Sequence, residues 1–260
     1  MDTLLSLSAS VIAVTLIACG GGQGDNPDGS NGNGNGDGGD GDGGGGGGSD
    51  AQPCGQLNAI IRDFKSGMPS DFEGTVAGER GLVTDTLGTD HKPVYAYPGV
   101  SPSNTVAGPD SFNQWYNDVN GVNQRFEIPL PLTETAPGVF EFDDADFFPL
   151  DGMGFGDEGN PHNFHFTTEI HGTFLYRGGE EFKFRGDDDV FVFVNNKLAL
   201  DLGGVHGPEE DEIDFDARAA ELGISTGTVY ALDVFHAERH TTESNFRIET
   251  SIDCLSGVIY

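Results

Sequence analysis

Positively charged residues are scarce in this sequence, where 12 Lys and Arg stand against 43 Asp and Glu, for a formal net charge of −31. A surface so short of positive charge repels nucleic acid phosphates and anionic lipid headgroups, so we expect no nucleic acid partner. It attracts cations, and calcium above all, because calcium prefers carboxylate oxygens. The alternative is an acidic surface that only keeps the protein soluble.

Long hydrophobic runs are also missing. The apolar run from Leu4 to Ala18 is shorter than the roughly 20 residues that span a bilayer, and it has the length of a signal-peptide core. It ends in Leu16-Ile17-Ala18-Cys19, which resembles the lipobox of bacterial lipoproteins, although Met-Asp-Thr before the run carries no positive charge. The pattern predicts a signal peptide over 1–18, lipidation of Cys19, and attachment through that lipid to the outer membrane of the cell envelope, surface-exposed or periplasmic.

Cysteine is equally rare, with three residues in the chain. If Cys19 carries lipid, Cys54 and Cys254 remain at either end of the presumed domain. A secreted compartment permits disulfides, so we predict a Cys54–Cys254 bridge that closes a loop of about 200 residues and stabilises the fold by up to about 5 kcal/mol. Two free, buried cysteines are the alternative.

The stretch from residue 19 to residue 50 lacks any aliphatic or aromatic side chain after Cys19 and consists almost entirely of Gly, Asp, Asn and Ser. Nothing in it offsets the entropy of ordering, which predicts a disordered linker of roughly 30 Å mean span. Calcium-binding β-roll repeats need an apolar residue in each repeat. A solvated spacer is therefore the better interpretation, and the folded domain is placed at 51–260.

Strand patterns dominate that domain. Apolar and polar residues alternate over Phe164–His171 and Glu181–Arg185, and Val190–Val194 is continuously apolar. Asn195-Asn196 suits a tight hairpin turn because Asn tolerates positive φ. Helical patterns are few, the best being Asp214–Leu222 followed by Gly223 as a C-cap. The sequence predicts an all-β fold, an antiparallel β-sandwich with one short helix.

Three adjacent carboxylates follow a glycine in Gly186-Asp187-Asp188-Asp189, between two predicted strands. Like charges at this spacing repel one another, and a cation relieves the repulsion. Calcium takes six to eight oxygen ligands, and successive aspartates in a tight loop supply several. A solvated acidic turn is the alternative.

Two long motifs carry a family resemblance. HNFHFTTEIHGTFLYRGGEEFKFRGDDDVFVFVNNKLALDLGGVHG over His162–Gly207 and YALDVFHAERHTTESNFRIETSI over Tyr230–Ile252 resemble the fibro-slime domain. IRDFKSGMPSDFE over Ile61–Glu73 resembles the first strand region of that family. The family in turn is similar to the protective-antigen-type, jelly-roll-like carbohydrate-binding β-sandwiches, which include yeast flocculin and bacterial adhesin domains.

This resemblance implies a calcium site that binds sugar hydroxyls directly. In the wider group two adjacent aspartates hold the ion, often across a cis peptide, which places the pair at Asp187 and Asp188. Asp189 stands where the group often has glycine. Further oxygens come from a loop near the last strands, here Glu238 to Asn245. The implied site residues are, for calcium, Asp187, Asp188, Asp189, Glu238 and Asn245, with Asp201 as a further oxygen donor, and, for the ligand, Asp187, Asp188, His206 and Glu243.

Aromatic rings often stack on sugar faces, which makes Trp115 and Tyr116 candidates, although a lone Trp in a sandwich more often belongs to the core. We therefore predict a non-catalytic adhesion domain that binds surface or extracellular glycans through Ca²⁺. A module that binds protein or builds extracellular matrix, without a sugar ligand, is the first alternative.

An enzyme is the second alternative. His165, Glu169 and His171 share one strand face, and His236, Glu238 and His240 share another. Side by side, two such strands would hold a transition metal, as in a cupin-like metalloenzyme. A glycosidase needs only two carboxylates, but no catalytic motif supports it.

Overall fold

The computed structural model describes residues 54–96 and 103–258. The predicted signal peptide at 1–18, the lipidation site Cys19 and the linker at 19–50 lie outside them. Seven strands of the described residues form a larger sheet: β1 Gln56–Phe64, β3 Asn123–Pro131, β6 Phe166–Tyr176, β8 Asp189–Val194, β9 Lys197–Leu202, β12 Thr228–Glu238 and β14 Ser256–Gly257.

Five further strands form a smaller sheet: β4 Thr133–Ala136, β5 Val139–Asp144, β7 Glu181–Gly186, β11 Glu209–Asp214 and β13 Phe246–Thr250. The short strands β2 (Ala77–Gly78) and β10 (Gly204–Val205) pair with each other, and two helices complete the described residues, α1 (Pro109–Phe112) and α2 (Phe215–Leu222). No helix in these ranges combines the length and the apolar character needed to cross a bilayer.

The order of strands is β3-β1-β14-β6-β12-β8-β9 in the larger sheet, with an additional β1–β6 pairing, and β11-β7-β13-β5-β4 in the smaller. All pairings are antiparallel except the contact of Gln56 with Ser256, where β1 and β14 run parallel. The predicted all-β sandwich with a short helix is confirmed, and α1 is an additional single turn.

The main core lies between the two sheets. Side chains on the inner face of the smaller sheet, such as Phe184 and Phe246, belong to one buried cluster with Ile170, Val192 and Val234 of the larger sheet. The inner-face residues stand at every second position of their strands, because alternate side chains point to opposite faces. The α2 helix adds Phe215 and Leu222 to the same cluster.

A second apolar layer covers the other face of the larger sheet. Phe191, Phe193 and Phe235 pack there against Trp115 and Tyr116, both of which are almost fully buried. The continuous apolar run that the sequence shows over Val190–Val194 follows from this arrangement, because β8 is buried on both faces. The two aromatic residues considered for sugar stacking are instead core residues, which corrects that interpretation.

The local signals in the sequence match the structure closely. Asn195 and Asn196 have φ of 52° and 61°, as a hairpin turn requires. Asp214 caps α2 by accepting a hydrogen bond from the amide of Ala217, and Gly223 ends the helix with φ of 70°. The predicted disulfide is confirmed, with Cys54 and Cys254 at a Cα–Cα distance of 4.9 Å.

Candidate metal and ligand site

Three acidic side chains meet where the strands of the two sheets end. Asp187 and Asp188 form the turn from β7 into β8, and Glu238 is the last residue of β12, which pairs with β8. All three line one cavity of about 220 Å³. We call these three residues the acidic corner. The chain thus brings together a motif and a loop that are some fifty residues apart.

Asn245 fixes the first of these carboxylates. Its backbone amide donates to Asp187 Oδ1 at 2.5 Å, and its side-chain Nδ2 donates to Asp187 Oδ2 at 2.9 Å. The close approach needs glycine at position 186, because a Cβ there would lie 2.8 Å from the carbonyl oxygen of Asn245. Burial raises the pKa of Asp187, and the hydrogen bonds from Asn245 only partly oppose that effect.

Asp188 has an unusual backbone conformation, with φ of 52° in the left-handed region. Non-glycine residues are uncommon there, and such strained positions cluster at binding sites. Its carboxylate accepts from the backbone amides of His206 at 3.3 Å and Arg239 at 2.5 Å. Burial raises the pKa of this group to about 7, with the nearby Asp189 and Asp187 acting in the same direction and Arg239 against it.

The peptide bond expected to be cis at this corner is not. Within the described ranges the cis peptide bond is Met68–Pro69, so Asp187 and Asp188 are joined in trans. This corrects the geometry that the resemblance implied. A cis bond between non-proline residues costs about 3–4 kcal/mol, and here the left-handed conformation of Asp188 turns the chain instead.

Glu238 is the third carboxylate of the acidic corner, and within the described ranges one of its two oxygens is unpaired. Its side chain is buried, and Oε2 has no hydrogen-bond partner among the described residues. Burial raises the pKa of Glu238 well above its ordinary value, and the charges of Asp188 and Asp187 raise it further. An unpaired buried carboxylate oxygen is costly, and it is therefore a position where a cation is favoured.

Asp189 lies on the other side of the sheet from the acidic corner. It pairs with Ala237 as the first residue of β8, so its side chain points to the face opposite Glu238. One carboxylate oxygen accepts from Arg239 Nε at 2.5 Å and the other from the amide of Gly204 at 2.7 Å. Because Arg239 already balances its negative charge, Asp189 is not among the residues that would hold calcium.

Of the remaining predicted residues, two line the cavity of the acidic corner and one does not. His206 and Glu243 line the cavity of the acidic corner. Both ring nitrogens of His206 lie within hydrogen-bond distance of carbonyl oxygens, those of Gly207 and Leu202, so the ring organises its own loop. Burial lowers the pKa of His206, but these two contacts outweigh it and the net shift is upward. Asp201 instead holds the amides of Gly81 and Gly203.

Sequence reasoning missed two groups. Val76 also lines the cavity, and no local pattern singles out this loop residue, whereas His240 and Thr242, which line it too, lie in the predicted loop from Glu238 to Asn245 without having been named as ligands. The second omission is Arg239, which is fully buried beside the corner and pairs with Asp189. A basic residue between Glu238 and His240 in an acidic chain was the available signal.

The carboxylate and amide groups of the acidic corner are oxygen donors, the ligand type that calcium prefers. No set of three His, Cys, Asp or Glu side chains in the described parts of the chain is arranged to hold a metal ion, so a calcium site here would also need amide, carbonyl or water oxygens. Calcium accepts carboxylate, amide, carbonyl and water oxygens in flexible numbers. The residues that would hold it are Asp187, Asp188, Glu238 and Asn245, and the unpaired Oε2 of Glu238 fits that role.

The cupin-like arrangement is contradicted by the sheet register. Strands β6 and β12 are neighbours, but Glu169 pairs with Phe235 and His236 with Thr168. Glu169 and His171 therefore lie on one face of the sheet, and His236 and Glu238 on the other. The two histidine-containing triplets cannot share one metal, so that prediction is wrong.

Comparison with known proteins gives a family match and several relatives. The PA14 domain family matches residues 154–257. Protein psiQ of Dictyostelium discoideum is 41% identical over 214 residues, which cover 76% of this chain and 21% of that protein. Protein psiC of the same organism is 35% identical over 217 residues, 76% of this chain and 41% of that protein. The chain thus spans about a fifth to two fifths of these relatives.

Among solved structures, the chain is similar to the PA14 domain of the MpAFP antifreeze protein, with 11% identity, a TM-score of 0.31, and coverage of 78% of this chain and 87% of that one. It is also similar to the Epithelial Adhesin 9 A domain of Candida glabrata, solved in complex with Galβ1-4GlcNAc, with 11% identity, a TM-score of 0.32, and coverage of 77% and 86%. The family match begins before β6 and ends with β14. The segment that carries the acidic corner, residues 154–257, therefore matches the PA14 domain family.

Proposed function

We propose that this chain is a carbohydrate-binding adhesion module that recognises glycans through a calcium ion held at the acidic corner. The observation that carries the proposal is the convergence of three buried carboxylates in one cavity, with Oε2 of Glu238 unpaired. The PA14 match covers all three residues.

Neighbouring residues hold two of the carboxylates of the acidic corner in place. Asn245 orients Asp187 through two hydrogen bonds, and the amides of His206 and Arg239 orient Asp188. This preorganisation lowers the cost of gathering the carboxylates when a cation enters. Bound calcium would supply open coordination positions for two neighbouring hydroxyl groups of a sugar. Each such site binds weakly, so many copies on a surface would add avidity.

Calcium should stabilise the protein, and this is the direct test. At a calcium concentration about 100 times the dissociation constant, the free energy of unfolding should rise by about 2.7 kcal/mol relative to chelator. Asp188→Asn should remove that increase while the protein still folds, because the substitution keeps the shape and removes the charge. Urea unfolding with calcium and with chelator measures both.

Asp253→Asn is the matched control, since Asp253 is exposed and pairs with Arg177 at the surface. It should leave the calcium effect unchanged. A wild-type protein whose stability does not respond to millimolar calcium would refute the calcium site. Glycan binding that survives chelation would place the sugar elsewhere, and binding only to proteins would favour a matrix or protein-binding module.

We also propose that the domain is held at the cell envelope by a lipid on Cys19. The support is the sequence Leu16-Ile17-Ala18-Cys19 and the composition of the residues that follow. Mass spectrometry of the N-terminal peptide of the expressed protein tests it. A peptide that begins at an unmodified residue other than Cys19 would contradict the anchor.

A further inference from the structure

A second cavity lies directly beside the acidic corner. Its volume is about 480 Å³, against about 220 Å³ for the first. Thr242 and Glu243 line both cavities and so form a common wall. Asn245 lines the second cavity while its side chain holds Asp187 of the first. The two cavities therefore flank one loop, which a single extended ligand can cross.

An ordered pair of rings lies in the second cavity. The rings of Phe148 and His162 stack with centroids 4.0 Å apart and planes inclined by 8°. Phe164 is buried beneath them and meets Phe148 edge-on at 4.9 Å. Asp151 fixes the imidazole, with Oδ2 at 2.7 Å from His162 Nδ1. The His162 side chain is still 40% exposed, so the imidazole of this rigid pair is accessible to a ligand on the side that Phe148 does not cover. We call Phe148 and His162 the aromatic platform.

The size of the cavities indicates a ligand of more than one ring. Pockets that enclose a small organic ligand usually measure about 300–1,000 Å³, and the cavity of the acidic corner is smaller than this range. It suits one sugar ring at the metal. The adjoining cavity is large enough for a second ring, and a flat aromatic surface with polar groups around it is what such a ring needs.

The charges around the cavities select against anionic ligands. No Lys or Arg lines either cavity within the described residues, whereas Asp146 and Glu243 add negative charge to that of the acidic corner. Carboxylate oxygens accept hydrogen bonds from sugar hydroxyls but repel uronate, sialate or sulfate groups. A single calcium ion leaves the combined surface negative. The geometry therefore favours a neutral glycan.

From these observations, and resting on the proposed function, we propose that the ligand is a neutral glycan of at least two sugar residues. One residue binds at the acidic corner, and its neighbour stacks on the aromatic platform in the second cavity. The platform thus determines specificity for oligosaccharides over monosaccharides. The loop that carries Thr242 and Glu243 separates the two positions and contacts both sugars.

The test compares matched monosaccharides and disaccharides in calcium: galactose with lactose, glucose with cellobiose, and mannose with mannobiose. Isothermal titration of the wild type should show a disaccharide bound about tenfold more tightly than its monosaccharide, since a stacked ring contributes about 1.4 kcal/mol. His162→Ala and Phe148→Ala should each remove most of that difference and leave monosaccharide binding unchanged.

A disaccharide that contains a uronic acid should bind at least about tenfold more weakly than its neutral counterpart.

Met153→Ala is the control, because Met153 is exposed in the same loop and lines neither cavity. It should behave as the wild type. Circular dichroism confirms folding, and the exposed His162 makes His162→Ala the safer variant. If the wild type binds monosaccharides in calcium but shows no preference for disaccharides, or if the platform variants weaken both ligands equally, the second-cavity inference fails and the proposed function stands. If the wild type binds none of these sugars, both fail.

Discussion

Replacing Arg239 by methionine should lower the free energy of unfolding by about 3–5 kcal/mol, the usual cost of removing one partner of a buried ion pair. Arg239 is completely buried, and its Nε donates to Asp189 Oδ2 at 2.5 Å. Its Nη1 donates to the carbonyl oxygen of Thr105 at 2.7 Å, and the guanidinium lies 4.6 Å from the ring centroid of Trp115. The variant leaves the carboxylate of Asp189 buried without a countercharge.

Urea unfolding in the presence of chelator measures this cost apart from any effect of calcium. Arg177→Met is the matched control, because Arg177 and its partner Asp253 are both exposed and such surface pairs contribute about 0–1 kcal/mol. Adding Asp189→Leu to Arg239→Met should recover part of the loss, since the orphaned charge is then removed. A single Arg239 variant as stable as the control would contradict the assigned role of the ion pair.

The three consecutive aspartates show that residues adjacent in the sequence need not share one site in the structure. Crowded negative charge suggested one shared cation. In the structure the three carboxylates are held by different groups: Asp187 by Asn245, Asp188 by the backbone amides of His206 and Arg239, and Asp189 by the side chain of Arg239 and the amide of Gly204. The change of face at the start of β8 separates Asp189 from the others, and it depends on where the strand begins. That boundary is among the least certain predictions from sequence.

Strands that bury residues on one face or on both were predictable from local pattern. The alternation over β6 and β7, the turn at Asn195-Asn196 and the limits of α2 follow from periodicity and capping. Strands β3, β4 and β5 were not predicted, because Pro129 and Pro131 interrupt β3 and all four residues of β4 are exposed. A periodic sequence pattern needs a buried face, and β3, β4 and β5 show little of one.

The candidate site was predictable only in part for a related reason. The Asp187–Asp188 turn and the loop from Glu238 to Asn245 could be linked through family resemblance, and the structure brings them together. The second apolar layer could not be predicted, since the segment that contains Trp115 and Tyr116 has almost no regular structure of its own. The same holds for the aromatic platform, where Phe148 and His162 are 14 positions apart in a strandless stretch.

Removal of the disulfide should lower the free energy of unfolding by about 2–5 kcal/mol. Cys54 and Cys254 are 200 positions apart, so the bond closes a loop through nearly the whole domain and restricts the unfolded chain strongly. It also joins the start of β1 to the segment before β14, a strand of two residues that pairs with both β1 and β6. The short β14 has few contacts of its own to hold it in place.

The double variant Cys54→Ser/Cys254→Ser avoids unpaired thiols, and urea unfolding of oxidised wild type, reduced wild type and the variant gives the comparison. The variant and the reduced protein should agree, because both lack the same cross-link. Loss of the loop constraint should also enlarge the unfolded ensemble and raise the denaturant slope. A variant within about 0.5 kcal/mol of the oxidised wild type would mean that the sheet pairings of β1 already hold the chain end, and that the bond contributes little to the fold.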